Sequence, residues 1–322
     1  MTQWRYDRLT WPEMNTAIAR KPQPVVALVI GAVEDHGLHL PLSTDNDILE
    51  SVLAECGRQA RGNLLVLPTI PFGLDEHHMD FPGVIAIDIE TTLAYLSQAA
   101  ISVARHGFTH ILIVNGHGSN QSICDLAARK CVLATGAICA ATTVNAAVDP
   151  ALVADVLAAE RKGGAGSVGH ACEYETAMML HAQPGLVQMD KAERDIGQIK
   201  LKYFNWDQPT PSAYTWQDWW SRFSRNGVCG DAAAATPEFG RRRNFKPLRS
   251  NPALTITKCG QPRARTLRCS QAAKPRPSLG VKWNVAGQQL TPRFIAGATQ
   301  RRDSVRLPAD WRQAQHVLCP YY

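Results

Sequence analysis

Two kinds of hydrophobic pattern alternate over the first 145 residues. Short, β-branched, almost wholly apolar runs fall near residues 25–33, 63–70, 110–115 and 137–144. Between them, near 46–61, 90–106 and 120–135, lie longer runs in which apolar residues recur every three to four positions. The first kind predicts strands buried on both faces, and the second predicts amphipathic helices. Strands alternating with helices of this length predict an α/β fold, a three-layer α/β/α arrangement around a mostly parallel central sheet. In such sheets ligands collect beyond the carboxyl ends of the strands. The residues that follow each predicted strand are therefore the first place to look for chemistry.

The first strand runs into Glu34-Asp35-His36-Gly37-Leu38-His39-Leu40-Pro41, with Asp45 close behind. The third runs into Asn115-Gly116-His117-Gly118-Ser119-Asn120, where two glycines flank a histidine at a sharp turn. The second delivers Pro71-Phe72-Gly73 and the cluster Asp75-Glu76-His77-His78 to the same edge. A further fragment, Gly169-His170-Ala171-Cys172-Glu173-Tyr174-Glu175-Thr176, opens an apolar, helix-like run. Carboxylates and imidazoles without cysteine suit zinc, manganese or iron. Several carboxylates together also suit two metal ions, one carboxylate bridging the pair. Taken singly, each piece has a plain reading. Asp45 is a good helix cap, and Glu173 or Glu175 would complement a helix dipole.

Together these fragments resemble the creatininase family of metal-dependent amidohydrolases. The likeness rests on Glu34-x-His36-Gly37-x-His39-Leu40-Pro41-x3-Asp45 and on Phe72-Gly73 followed by His78-x2-Phe81-Pro82-Gly83. It also rests on Asn115-Gly116-His117-Gly118-x-Asn120, His170-Ala171-x-Glu173-x-Glu175-Thr176 and Asn226-Gly227-Val228-x-Gly230-Asp231. It covers roughly residues 1–240. The resemblance implies that Glu34, His36, Asp45 and His117 are metal ligands, with Asp45 bridging and Glu175 completing the pair of sites. It implies two divalent ions, Zn2+ first, with Mn2+ or Fe2+ as alternatives. The implied reaction is hydrolysis of a C–N bond in a cyclic amide or formamide by hydroxide generated on those ions. An amide nitrogen leaves only if it is protonated, which makes His170 the candidate general acid/base. Glu173 is a second candidate, for orienting a ligand histidine. His39, His78, Ser119 and Asn120 are candidates for substrate contact or for support of the ligands.

This chain also departs from the family. Creatininase has a ligand glutamate two residues after the histidine of Asn-Gly-His, where this chain has Ser119. Creatininase carries tryptophans ahead of its His-Ala motif, whereas residues 145–170 here contain no Phe, Trp or Tyr. Creatinine is therefore not the expected substrate. Other branches of the family act on formamidopyrimidine nucleotide precursors or on a modified peptide. A catalytically inactive ligand-binding or regulatory protein on the same fold is the competing function. A metal-dependent phosphoesterase would need Arg or Lys clamps, and none accompanies these motifs.

Charge divides the 322-residue chain. The overall +6 is the sum of −9 over residues 1–240 and +15 over residues 241–322. The basic segment holds eight of the twenty prolines and shows no apolar period. We read 1–240 as the hydrolase domain and 241–322 as an irregular, unstructured or non-native tail. A reading-frame shift or a fused stretch explains it better than a nucleic-acid-binding arm. Family members close with an amphipathic helix after the segment matching Gly230-Asp231, and no such period is visible here. Limited trypsin digestion should trim the chain rapidly to a core ending near Arg241–Arg249. A tail as resistant as the body would overturn that reading.

The remaining features are permissive. No apolar run approaches the ~20 residues of a membrane span, and the N-terminus lacks the apolar centre of a signal peptide. The nine cysteines show no CxxC pairing, which predicts reduced thiols and a cytoplasmic protein. A homo-oligomer is expected. Residues 145–168 read as a helix followed by a loop able to close over a site. The aromatic stretch 203–222 reads as a pocket wall, as an oligomer contact or as the core of a small subdomain.

Overall fold

Val25–Ile30 forms strand β1, and all but its first residue are buried. Its side chains alternate between two cores. Ala27 and Val29 face one, and Val26, Leu28 and Ile30 face the other. A strand apolar on both faces belongs inside a sheet, and β1 lies between two parallel neighbours. The sheet order is β2-β1-β3-β4, with β2 at Leu64–Val66, β3 at His110–Asn115 and β4 at Ile138–Thr143. Every pairing in it is parallel. The structure is a computed structural model that describes residues 3–144, 159–196, Phe204, Asp207 and 216–245. These lie in one compact unit, Met1–Gln261; the other, Pro262–Tyr322, is outside the described residues.

Helices cover both faces. On one face lies α2, Thr44–Gln59, whose Ile48, Leu49, Val52 and Leu53 pack on Ala27 and Val29. Beside it lies α5, Glu173–Ala182, contributing Ala177, Met178 and Met179. On the other face are α3, Ile89–Arg105, and α4, Gln121–Thr135. They bring Leu96, Ala100, Val103, Ile123, Ala127 and Cys131 against Val26, Leu28 and Ile30. The sequence explains the helix ends. The Asp88 side chain accepts a hydrogen bond from the Thr91 amide and caps α3. Gly136 ends α4 in the left-handed conformation. A short helix, α1, Trp11–Ala19, precedes β1 and begins with a capping box at Thr10 and Glu13.

The three-layer α/β/α prediction holds, and the differences lie at element ends. β2 is only three residues long, because Pro68 has no N–H to give the ladder. The chain still follows β1 past that point, with Leu67 and Ile70 amides bonded to the Ala27 and Val29 carbonyls. β5, Arg194–Asp195, and β6, Gly230–Asp231, add a small antiparallel pair. A helix, α7, does follow that segment, at Pro237–Phe245, which corrects the reading of no closing helix. It docks on α5 at backbone distance. A Cβ built on Gly240 would collide with the Ala177 carbonyl, so only glycine fits there.

Of the predicted lid, residues 145–158 lie outside the described residues, as do 246–322 of the predicted tail. The aromatic stretch is described in part. Phe204, Trp216, Trp220 and Phe223, the last two in the short α6 (Trp220–Phe223), form a small core with Cys229. Trp220 also faces the cavity described below, so the described part of this stretch serves as pocket wall and as small core. The described cysteines, Cys56, Cys124, Cys131, Cys139, Cys172 and Cys229, are free thiols. Among the described residues, no helix is long and apolar enough to cross a membrane.

Candidate metal centre

The carboxyl ends of β1 and β3 open into one cavity of about 430 Å³. Glu34 enters it from the segment after β1 and Asp45 from the first turn of α2, while His36 lies buried behind Asp45. His117 enters from the turn after β3. Asn115 shapes that turn, accepting from the His117 amide and donating to the His117 carbonyl. His77 and His78 arrive on the single helical turn after β2, and His170 and Glu175 at the start of α5. Residues far apart in the chain thus meet at one sheet edge, as the strand pattern predicts.

Asp45 lies between two imidazoles. Its Oδ2 is 3.1 Å from His117 Nδ1, and its Oδ1 is 3.5 Å from His36 Nε2. Glu34 Oε1 is 3.1 Å from the same His117 nitrogen. Among the described residues, ligand atoms lie within 4.8 Å of one another in Glu34/Asp45/His117 and in His36/Asp45/Glu175. Both triads contain Asp45. Two further groups of this kind, Glu34/His36/His170 and Asp35/His78/His170, adjoin them.

These residues fit metal ions on two counts. The donor set is oxygen and imidazole nitrogen only, which suits divalent first-row metals. Several of its atoms are also buried without a hydrogen-bond partner, among them Glu34 Oε2 and His36 Nε2. Leaving buried polar atoms unmatched is costly, and a cation would satisfy them. His36 Nδ1 lies 3.5 Å from the Glu34 carbonyl oxygen. If that nitrogen carries the ring proton, the Nε2 lone pair faces Asp45.

Burial and mutual charge shift the groups of this cluster in different directions. Burial pushes the Glu34 carboxyl well above its usual range, and neighbouring Asp45 and Asp75 add to the rise against the pull of His117. Burial also pushes Asp45 upward, but bonds to His117 and His36 outweigh it and hold Asp45 low. His117 is disfavoured as a cation by burial, yet Glu34 and Asp75 raise it well above an ordinary histidine.

Two histidines lean on one residue, Asp35, one on its carboxylate and one on its backbone carbonyl. His78 Nδ1 is 2.6 Å from Asp35 Oδ1, and His170 Nε2 is 2.8 Å from the Asp35 carbonyl oxygen. Burial takes His78 down to about 3, against the Asp35 bond, and the neighbouring His170 charge pushes the same way. For His170, burial is outweighed by Asp35, Glu175 and Asp45, and its pKa rises. Burial and charge thus drive the two imidazoles in opposite directions, His170 upward and His78 downward. The Trp220 ring stacks on His78 at 4.7 Å and meets His170 edge-on at 4.8 Å, walling that side of the cavity.

The five predicted ligands, together with His170, His78 and Ser119, all reach this centre. Ser119 Oγ is 2.9 Å from His77 Nε2, and Glu175 supplies the third carboxylate near Asp45. Three predicted residues stand outside it. His39 Nε2 bonds Thr176 Oγ1 at 2.8 Å, and burial lowers its pKa to about 4. Asn120 fastens the turns beneath the cavity, accepting from the Leu74 amide and donating to the Gly31 carbonyl. Glu173 is fully buried, and its two oxygens accept from the Lys162 and Gly163 amides. Its carboxylate thus anchors the 161–163 turn to α5. Residues two apart on a helix point about 200° apart, so Glu173 faces away where Glu175 faces in. Glu173→Ala should therefore cost on the order of 3 kcal/mol of stability, as expected for buried charged hydrogen bonds, with metal content unchanged. Chemical denaturation beside metal analysis checks both halves, and lost metal would return Glu173 to the site.

Sequence reasoning named no role at this centre for Asp35, Asp75 or His77, and it marked Trp220 only as one of several aromatics able to line a pocket. Asp35 carried a signal, because it stands between two predicted ligands. Asp75 and His77 were visible as members of a charged cluster, but nothing marked which of them turn inward.

The family model described as creatinine amidohydrolase matches residues 7–244. A mycofactocin precursor peptide peptidase of Mycobacterium ulcerans (strain Agy99) is 29% identical over 175 residues, 52% of this chain and 62% of that protein. A creatinine amidohydrolase of Pseudomonas putida is 28% identical over 196 residues, 57% of this chain and 73% of that protein. The chain thus spans about three fifths of the length of the mycobacterial relatives it matches. Among solved structures, creatinine amidohydrolase (creatininase) superposes with a TM-score of 0.61 at 24% identity, covering 77% of this chain and 94% of that one. A structure described as "Creatininase Mn" gives 0.59 at 24% identity, covering 76% and 95%. At these identities the structural likeness concerns the fold.

Proposed function

Because this chain belongs to the creatininase family, we propose that it is a metal-dependent amidohydrolase that cleaves a C–N bond of a small cyclic amide or formamide. One observation carries the proposal. Asp45 belongs to two ligand triads and turns one oxygen toward each of their imidazoles. A carboxylate so placed suits the bridge of a two-ion centre. Glu34 and His117 would hold one ion, and His36 and Glu175 the other. Zn2+ is the first candidate, with Mn2+ and Fe2+ close behind for such a donor set. When bound, a pair of ions makes a water acidic and polarises the amide carbonyl.

The chain's own groups supply the rest. His170 lines the cavity, buried, with Nε2 on the Asp35 carbonyl, which fixes the ring. It would deliver a proton to the departing nitrogen. Neutral His78, stacked on Trp220, would not compete for that proton. Trp220 closes one side of the cavity against water. Partners are a small-molecule amide and, as a separate expectation, further copies of the chain. A cytoplasmic setting agrees with free thiols.

The test is metal analysis of purified protein, then a screen of cyclic amides, formamides and short peptides. We expect about two ions per chain, activity lost to a chelator and activity restored by the metal. Bound metal with no turnover anywhere in the screen would favour the inactive ligand-binding reading instead.

A further inference from the structure

Asp75 is fully buried, and neither of its carboxylate oxygens has a hydrogen-bond partner. Its Oδ1 lies 2.8 Å from His117 Nε2. The approach is off the line of the N–H, which points better at the Leu74 carbonyl oxygen 3.3 Å away. Asp75 therefore acts on His117 chiefly by charge. The opposite ring nitrogen, Nδ1, is the one that faces Glu34 and Asp45. We propose that Asp75 is a positioning residue for metal binding, holding the proton of His117 on Nε2 and making Nδ1 a stronger metal donor. The inference rests on the metal-dependent reading above.

The physical case is a matter of cost. A fully buried carboxylate without hydrogen bonds is expensive, and here it stands close to two more carboxylates, Glu34 and Asp45, around one imidazole. Without a metal ion, Asp75 repels Glu34 and is offset only by a proton on His117. With a cation on His117 Nδ1, the same charge is attracted to an electron-poor ring. Carboxylate–histidine–metal arrangements work in this way, and losing the outer carboxylate typically weakens metal binding 10–100-fold. His36 has no such partner, since its Nδ1 meets only the Glu34 backbone carbonyl at 3.5 Å.

The test uses the full chain, stripped of metal, with Zn2+ titrated against a chromophoric chelator. Asp75→Asn keeps an acceptor and loses the charge, and Asp75→Ala loses both. Zn2+ affinity should fall roughly 10–100-fold in Asp75→Asn and at least as far in Asp75→Ala. Thermal melting of the metal-free Asp75→Asn protein should stay within about 2–4 °C of wild type, because the lost attraction to His117 and the lost repulsion from Glu34 and Asp45 oppose each other. A merely structural role would lower melting temperature and affinity together, and that result would overturn the proposal. Unchanged Zn2+ affinity would also overturn it. Wild-type protein that binds no Zn2+ would overturn both this proposal and the metal-dependent function. Weakened Zn2+ binding in a protein that hydrolyses no amide would leave Asp75 in its role and sink the amidohydrolase reading alone.

Discussion

Asp45→Ala is expected to abolish metal binding and turnover together. Asp45 is almost wholly buried and sits between His36 and His117, one oxygen toward each. Removing it takes a member from both triads at once, which no other single substitution among the five proposed ligands does. Removing a group that merely supports a ligand costs roughly 10–100-fold in metal affinity, and loss of the shared carboxylate should exceed that. Metal content after dialysis, with the rate on the best amide of the screen, measures both. An Asp45→Ala protein that keeps two ions would rule out the bridging role.

His170→Ala should behave differently, keeping the metal and losing about 10²- to 10⁴-fold in rate, the usual range for general acid/base catalysis. The case rests on the contrast with its neighbour. Asp35 bonds both His170 and His78, yet the pKa of His170 is raised and that of His78 is lowered. His78→Ala should therefore affect proton delivery far less. His170 also lies within ligand distance of Glu34 and His36. Metal analysis of the variant decides between the roles, because loss of an ion would make His170 a ligand instead of the proton donor.

Much of this architecture was legible because burial writes itself into hydrophobic periods. β1 is apolar on both faces because both faces are covered. Glu34, His36, Asp45 and His117 were legible because each follows a strand or opens a helix at the sheet's carboxyl edge. What the sequence hid depends on side-chain direction. Glu173 and Glu175 look equivalent in the string, and the helix turns one to backbone amides and the other to the cavity. Asp75 lies in a turn with no period, so its burial against His117 could not be inferred from spacing. The closing helix escaped notice for a related reason. Pro237–Phe245 carries Arg241, Arg242 and Arg243, and it docks through one buried aromatic, Phe239, and close backbone approach at Gly240, too little to show as a period.

The central claim is a pair of ions sharing Asp45, and anomalous X-ray diffraction at the absorption edge of the bound metal tests it most directly. Two anomalous peaks are predicted in the cavity, about 3.5–4 Å apart. One should lie beside His117 and Glu34 and the other beside His36 and Glu175, with an Asp45 oxygen about 2.0–2.2 Å from each. A single peak, or two peaks of which one lies away from Asp45, would contradict the account.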